Sequence, residues 1–305
     1  MKVADRLTDA GFGVGWSVIR RLPEPVVGRA SQALADRSYG KRGRGVLQLR
    51  ANLARVLPDA TSGELDEATR EGVRRYLRYW SEVFRMPAYT PRRLREQFLL
   101  GEGMERLDAA VERGGAIMVA PHSGNWDLAG AWACDRYGGI VTVAERLEPA
   151  GVYDKFVAYR ERLGMEVLPH GDPETMRTLL RRLKSGALVC LVADRDLTGS
   201  GVHVDFFGET ASMPAGPAMM SLLTGAPIMP VSLWYDGPVM RGRVDRPVEV
   251  DLPVEADRGE RVASITQAMA DAFARTIGEH PVDWHMMQRL WLSDLPEPVL
   301  AGGSP

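Results

Sequence analysis

Cysteine is nearly absent: Cys134 and Cys190 are the only two in 305 residues, and both sit in apolar surroundings far apart in the chain. That scarcity argues against a disulfide framework and against a zinc site, and both residues read as core thiols. Long apolar runs are missing as well. No window approaches the roughly 18 to 20 uninterrupted apolar residues that cross a bilayer, and the N-terminus lacks the charged, apolar and small-residue succession of a secretory signal. A cytoplasmic protein that does not span a membrane is expected. There is no internal repeat, no low-complexity linker and no obvious domain boundary. What is present is ordinary globular composition, 45% hydrophobic and 26% charged, in a chain long enough to bury a sizeable core.

The net charge of -2 conceals an asymmetry. Residues 1–100 carry 19 Lys or Arg against 11 Asp or Glu, whereas the remainder carries 19 against 29. A basic third at one end suits an anionic partner, either a membrane surface or nucleic acid. In TDAGFGVGWSVIRRLPEPVVGRA, Phe12, Trp16 and Ile19 recur at helical spacing with Arg20 and Arg21 at the edge. Such a segment either lies in a lipid interface or packs on its own domain. In ATREGVRRYLRYWSEVFRMP, Val73, Leu77, Trp80 and Phe84 form a helical stripe, and Arg74, Arg75, Arg78 and Arg85 occupy other faces. This helix packs on a core with either a solvated basic face or a face that meets anionic lipid or phosphate. Aromatics are not interleaved with the arginines as stacking platforms, and no nucleic-acid-binding motif is present, so no nucleic-acid partner is expected.

From about residue 114 short apolar strands alternate with helical patterns. Residues 116–120, 140–143, 187–192 and 228–233 read as strands. PETMRTLLRRLKSG reads as a helix with Met176, Leu179, Leu180 and Leu183 on one face, opened by Pro173 and closed by Gly186. A later helix over 264–277 ends at Gly278. The alternation predicts an α/β fold: a central, largely parallel sheet flanked by helices, with a basic helical N-terminal elaboration. One domain is expected over 1–305, comprising a basic helical, membrane-facing part over 1–100, an α/β core over 101–295 and a flexible tail over 296–305.

Loops that leave the carboxyl ends of parallel strands are where sites are built, and PHSGNWD leaves the strand 116–120. His122 stands just past the strand, near helix-terminal N–H groups, with Ser123 or Asn125 available to cap the helix that starts near Trp126. Asp127, five residues after the histidine, is expected to reach back to Nδ1 and fix the tautomer. Nε2 would then take a proton from an incoming hydroxyl. Ser123 lacks the G-x-S-x-G setting of a nucleophile elbow, so a serine hydrolase is a weak reading.

HSGNWD resembles the His-x4-Asp signature of the glycerolipid and lysophospholipid acyltransferase superfamily. Further blocks, in order, are similar to the branch that holds the lipid A lauroyl/myristoyl acyltransferases and the phosphatidylinositol mannoside acyltransferases of actinobacteria. They include ANLARVL, YLRYWSEVFRMP, VTVAERLEP, VAYRERLGMEVLP, LVADRDLTGSGVHVDFFGE, MPAGPA, TGAPIMPV and PVDWHMMQRLW, and they extend over about residues 50 to 291. The resemblance implies transfer of an acyl group, typically palmitoyl, from acyl-coenzyme A to a mannose 6-hydroxyl on a phosphatidylinositol mannoside. No cofactor or metal is implied, and acyl-coenzyme A is a co-substrate. His122 becomes the general base and Asp127 its orienting carboxylate. Glu145, Arg160 and Asp194 fall on further family positions that shape the site, with Arg195 beside them; a structural Glu145–Arg160 salt bridge is the plainer alternative for that pair.

Relatives usually carry glutamate where this chain has Asp194, which moves the carboxylate back by one methylene. Asp194 and Asp196 also form a D-x-D of the kind that binds metal in many glycosyltransferases, a minor reading. Met213, Met219, Met220 and Met229 either line an acyl-chain groove or fill the core. His280, Trp284, His285 and Trp291 read as packing near the site opening. A peripheral protein on the cytoplasmic face of the membrane follows, with a lipid A precursor or another glycolipid as alternative acceptor, or a non-catalytic lipid-binding role.

Overall fold

The alternation from residue 98 onward builds one seven-stranded sheet in the computed structural model, which describes residues 18–146 and 150–295. The strands are β1 (Phe98–Leu100), β2 (Ala116–Ala120), β3 (Ile140–Ala144), β4 (Met165–Pro169), β5 (Leu188–Val192), β8 (Ile228–Asp236) and β9 (Val239–Val244), in the order β1-β9-β8-β2-β5-β3-β4. Every pairing is parallel except β8 with β9, which also reverses β1. A hairpin of β6 (Val202–Phe206) and β7 (Glu209–Met213) stands apart from the sheet. The predicted α/β class and strand positions are thus observed. The edge strand β1 is only three residues long, and its neighbor β9 is interrupted by Arg241, Gly242 and Arg243, so neither announced itself. β1 also falls at 98–100, so the basic third contributes a strand as well as helices.

Helices cover both faces, which explains why β2 is apolar at every position. Ala116, Met118 and Ala120 face one core, and Ile117 and Val119 face the other. The first core is closed by α5 (Met104–Arg113), α6 (Trp126–Tyr137) and α7 (Ala150–Arg162). The second is closed by α8 (Pro173–Lys184), α9 (Gly216–Thr224) and α10 (Arg258–Glu279). α10 starts six residues before the predicted position because Asp257 and Glu260 form a capping box, and it ends at Glu279, ahead of Pro281.

The N-terminal elaboration comprises α1 (Glu24–Gly40), α2 (Arg44–Val56) and α3 (Ser62–Arg85), followed by the short α4 (Pro91–Gln97). α3 joins two cores: Leu65 and Val73 pack with Ala35, Leu49 and Leu53, while Tyr79 and Val83 enter the core under α6. Its buried positions also differ from the predicted stripe. Val73 is buried, but Leu77, Trp80 and Phe84 are half-buried, and Tyr79, Val83 and Met86 point inward.

The arginines of α3 are paired. Arg74 binds Asp36, Arg75 binds Glu71, Arg78 binds Glu82, and Arg85 donates to the carbonyls of Ile19 and Leu22. The expected solvated or lipid-facing basic face is therefore largely an ion-paired junction. Phe12 and Trp16 of the proposed amphipathic segment, and the tail over 296–305, lie outside the described residues. Among the described residues, no helix is long and apolar enough to cross a membrane.

Candidate active site

Parallel register builds the center of the site. Ala120 of β2 lies opposite Val192 of β5, so two residues further on His122 and Asp194 stand side by side just past the strand ends. Asp194 is fully buried. Its Oδ2 accepts from the His122 backbone N–H and from Trp284 Nε1, each at 2.9 Å, and its Oδ1 lies 2.5 Å from His122 Nδ1. Burial by itself would raise the pKa of this carboxyl, but the charge of His122 and these hydrogen bonds hold it below the usual carboxylate range. A carboxylate only accepts, so Nδ1 carries a hydrogen, and in the neutral imidazole Nε2 is then the nitrogen with the lone pair. The imidazole side chain is 31% exposed, open to a substrate on one side.

This geometry corrects the expected role of Asp127. α6 begins at Trp126, and its first turn carries the Asp127 carboxylate inward to near-complete burial. There it accepts from Arg160 Nε at 2.6 Å, from Arg160 Nη2 at 3.1 Å and from Tyr79 Oη at 2.8 Å. Burial opposes the charge of Arg160, yet the charge and hydrogen bonds of Asp127 more than offset it and hold the guanidinium above its ordinary pKa. Burial, then the Asp127 charge, raises the Tyr79 phenol well above its ordinary pKa. The alternative reading of a Glu145–Arg160 salt bridge does not hold, since Arg160 pairs with Asp127. Glu145 follows β3 at the same sheet edge, half-exposed, with its carboxylate 3.4 Å from Arg195.

Asn125, not Ser123, caps α6: its Oδ1 accepts from Leu128 N at 2.9 Å, and its Nδ2 donates to Glu82 Oε2 at 2.9 Å. Tyr235 Oη donates to the same oxygen at 2.8 Å. Ser123 is buried, bridges to Trp284 through the backbone, and its Oγ meets no hydrogen-bond partner. Gly124 between them has φ +58°, and a Cβ there would lie 3.0 Å from the Leu233 backbone, so only glycine passes this turn without strain.

Behind the loop, His285 N donates to His122 O at 2.7 Å and Gly124 N donates to Asp283 O at 3.0 Å. The segment around Trp284 thus supports the site, as the PVDWHMMQRLW block suggested. His280 instead stacks on Trp234, and Trp291 packs on Phe206 of β6. Tyr79 and Glu82 had no site signal beyond their place in the YLRYWSEVFRMP block. The acids of DRD also diverge: Asp196 takes hydrogen bonds from Thr198, Gly201 and Ser212, bracing its loop on β7, while Asp194 faces His122.

Beneath α6 runs an apolar cavity with Trp126, Asp127, Arg160 and Thr142 among its lining residues. The Trp126 ring also meets His122 edge to face, with centroids 5.3 Å apart, so one side chain borders both imidazole and cavity. Met118 and Met165 are the methionines of this cavity. Met213, Met220 and Met229 are buried core residues and Met219 is half-buried, and none of the four lines it.

The family described as bacterial lipid A biosynthesis acyltransferase matches residues 7–293. Proteins from two strains of Mycobacterium tuberculosis (CDC 1551 / Oshkosh and H37Rv), both named phosphatidylinositol mannoside acyltransferase, are each 45% identical over 295 residues, covering 95% of this chain and 90% of theirs. A protein of the same name from Mycolicibacterium smegmatis is 43% identical over 293 residues, covering 95% of this chain and 93% of its own.

The pairing of Asp127 makes it a stability residue. Asp127→Asn leaves Arg160 buried without its counter-charge and should cost about 3 to 5 kcal/mol in denaturant unfolding; a loss well under 1 kcal/mol would contradict that role. Burial depresses the pKa of His285 to about 3, against a Gly124 carbonyl bond that favors protonation. Below an unfolded value of 6.5 the unfolded chain therefore binds a proton that the native chain refuses, and stability falls as pH drops through that range. The thermal midpoint should decline from about pH 7 to about pH 5, and His285→Gln should flatten the decline. An unchanged slope in the variant would assign the acid sensitivity elsewhere.

Proposed function

Because the chain belongs to the bacterial lipid A biosynthesis acyltransferase family, we propose that it moves a fatty acyl group, palmitoyl in the first instance, from acyl-coenzyme A to a mannose 6-hydroxyl of a phosphatidylinositol mannoside. The relatives' shared name supports the acceptor. The observation that carries the chemistry is the His122–Asp194 pair at the carboxyl edge of the sheet, bordered through Trp126 by an apolar cavity.

In this reading Asp194 holds Nδ1–H, and the Nε2 lone pair takes the proton of the mannose hydroxyl as its oxygen attacks the thioester carbonyl carbon. The tetrahedral intermediate collapses, the carbon–sulfur bond breaks, and the imidazolium returns its proton to the departing thiolate. An ester and free coenzyme A result, with no acyl-enzyme. The acyl chain occupies the cavity beneath α6, and the Arg160–Asp127 pair forms its polar end. Asp194 reaches Nδ1 despite its shorter side chain, so its departure from the family's usual glutamate gives no support to a non-catalytic protein.

An acceptor with a diacylglycerol anchor must be met at a membrane surface, and the cytoplasmic face is the proposed place. Val18, Leu22 and Val26 are exposed at 49%, 39% and 47%, interleaved with exposed Arg20, Arg21 and Arg29. Apolar side chains flanked by arginines are suited to an anionic lipid interface.

Free-thiol release from palmitoyl-coenzyme A should require a phosphatidylinositol mannoside, be weaker with a lipid A precursor, and fall about 10²-fold or more in both His122→Ala and Asp194→Asn. Equal release by wild type and His122→Ala would remove the mechanism. Sedimentation with vesicles rich in anionic lipid should be strong at low salt and fall in a Leu22→Glu, Val26→Glu double variant; no binding by wild type would remove the membrane reading.

A further inference from the structure

The cavity beneath α6 has a direction. Along the strands its β3 lining runs only from Val143 to Ile140, roughly 10 Å at strand rise. Across the strands, from Thr142 on β3, it is lined in turn by β5, β2, β8, β9 and β1, five inter-strand spacings or roughly 24 Å. The long axis therefore crosses the sheet. It starts among Thr142, Val192 and the Asp127–Arg160 pair and finishes among Phe98, Leu107 and Val244.

Phe98 stands at that far end, beside Leu100 of the same strand. It lies on the edge strand and is almost wholly buried, and among the described residues none of α4, which covers that edge, lines the cavity. Its ring is clamped on two sides. On one it meets Trp132 of α6 edge to face, with centroids 5.3 Å apart. On the other it lies on Gly242 of β9, where a Cβ would come within 2.7 Å of Phe98 Cζ, so the ring occupies the volume of a side chain that β9 lacks. A ring fixed by a helix above and a glycine below is a rigid stop.

Resting on the reading that this cavity takes the acyl chain, we infer that Phe98 is the residue that selects acyl-chain length by meeting the terminal methyl group. A shorter chain leaves apolar volume unfilled against the ring, and a longer chain meets it before the thioester reaches His122.

The test compares kcat/KM for myristoyl-, palmitoyl-, stearoyl- and arachidoyl-coenzyme A with a fixed phosphatidylinositol mannoside acceptor. Phe98→Ala, with Phe98→Leu as the milder variant should the first not fold, removes the stop. Val231→Phe, on the strand between the cavity's two ends, narrows it midway. Phe98 variants should raise the stearoyl-to-myristoyl ratio roughly tenfold or more, and Val231→Phe should lower it. An unchanged profile in the Phe98 variants alongside a shortened preference in Val231→Phe would overturn the role of Phe98 and keep the acyl chain in the cavity. Profiles unchanged in every variant would remove both the cavity reading and this inference.

Discussion

The hydrogen bond between His122 Nδ1 and the buried Asp194 carboxylate is the interaction on which the site depends. It follows from the register of two parallel strands, which end level and leave adjacent residues with the same orientation. Trp284 and the His122 backbone complete the carboxylate's partners, so a charge in an apolar setting is matched on both oxygens. The tautomer of His122 is a consequence of sheet geometry more than of its own loop.

The Asp127–Arg160–Tyr79 cluster performs a different task. It ties α6, α7 and α3 together at the edge of the cavity, so the helical N-terminal third contributes directly to the site's construction. Glu82 repeats the arrangement one turn along α3 by holding the Asn125 cap and the Tyr235 hydroxyl. The signature aspartate is held by Arg160 and Tyr79, and the loop it belongs to is braced from beneath by the helix that carried the basic pattern. The α3 arginines face Asp36, Glu71 and Glu82, acids of the same basic third, so these pairs leave its excess of positive charge in place, while Arg55 bound to Glu209 and Asp294 and Arg95 bound to Asp135 join the two parts of the chain. The stretch around Val18 to Arg29 faces outward, as do Lys41, Arg42 and Arg44.

The fold class, the strands at 116–120 and 188–192, the helix at 173–184 and the position of His122 were legible in the chain because they are local. Apolar runs, periodicity and caps act over a few residues, and a histidine after a buried strand is placed by that strand. Asn125 as a cap candidate was legible for the same reason. The five-residue spacing of His122 and Asp127 misled because closeness along the chain was taken for closeness in space, whereas the first turn of α6 separates the two.

Which carboxylate meets His122 was decided only in three dimensions. Asp194 is 72 residues away, and nothing in its neighborhood announces that β5 will lie next to β2 in level register. The same holds for Arg160 choosing Asp127 over Glu145, for Tyr79 turning inward, and for a cavity lined by all seven strands of the sheet. Sequence by itself determined the elements and the chemistry available at their ends; tertiary structure decided the partners, because strand order and register are long-range packing choices that no local pattern encodes.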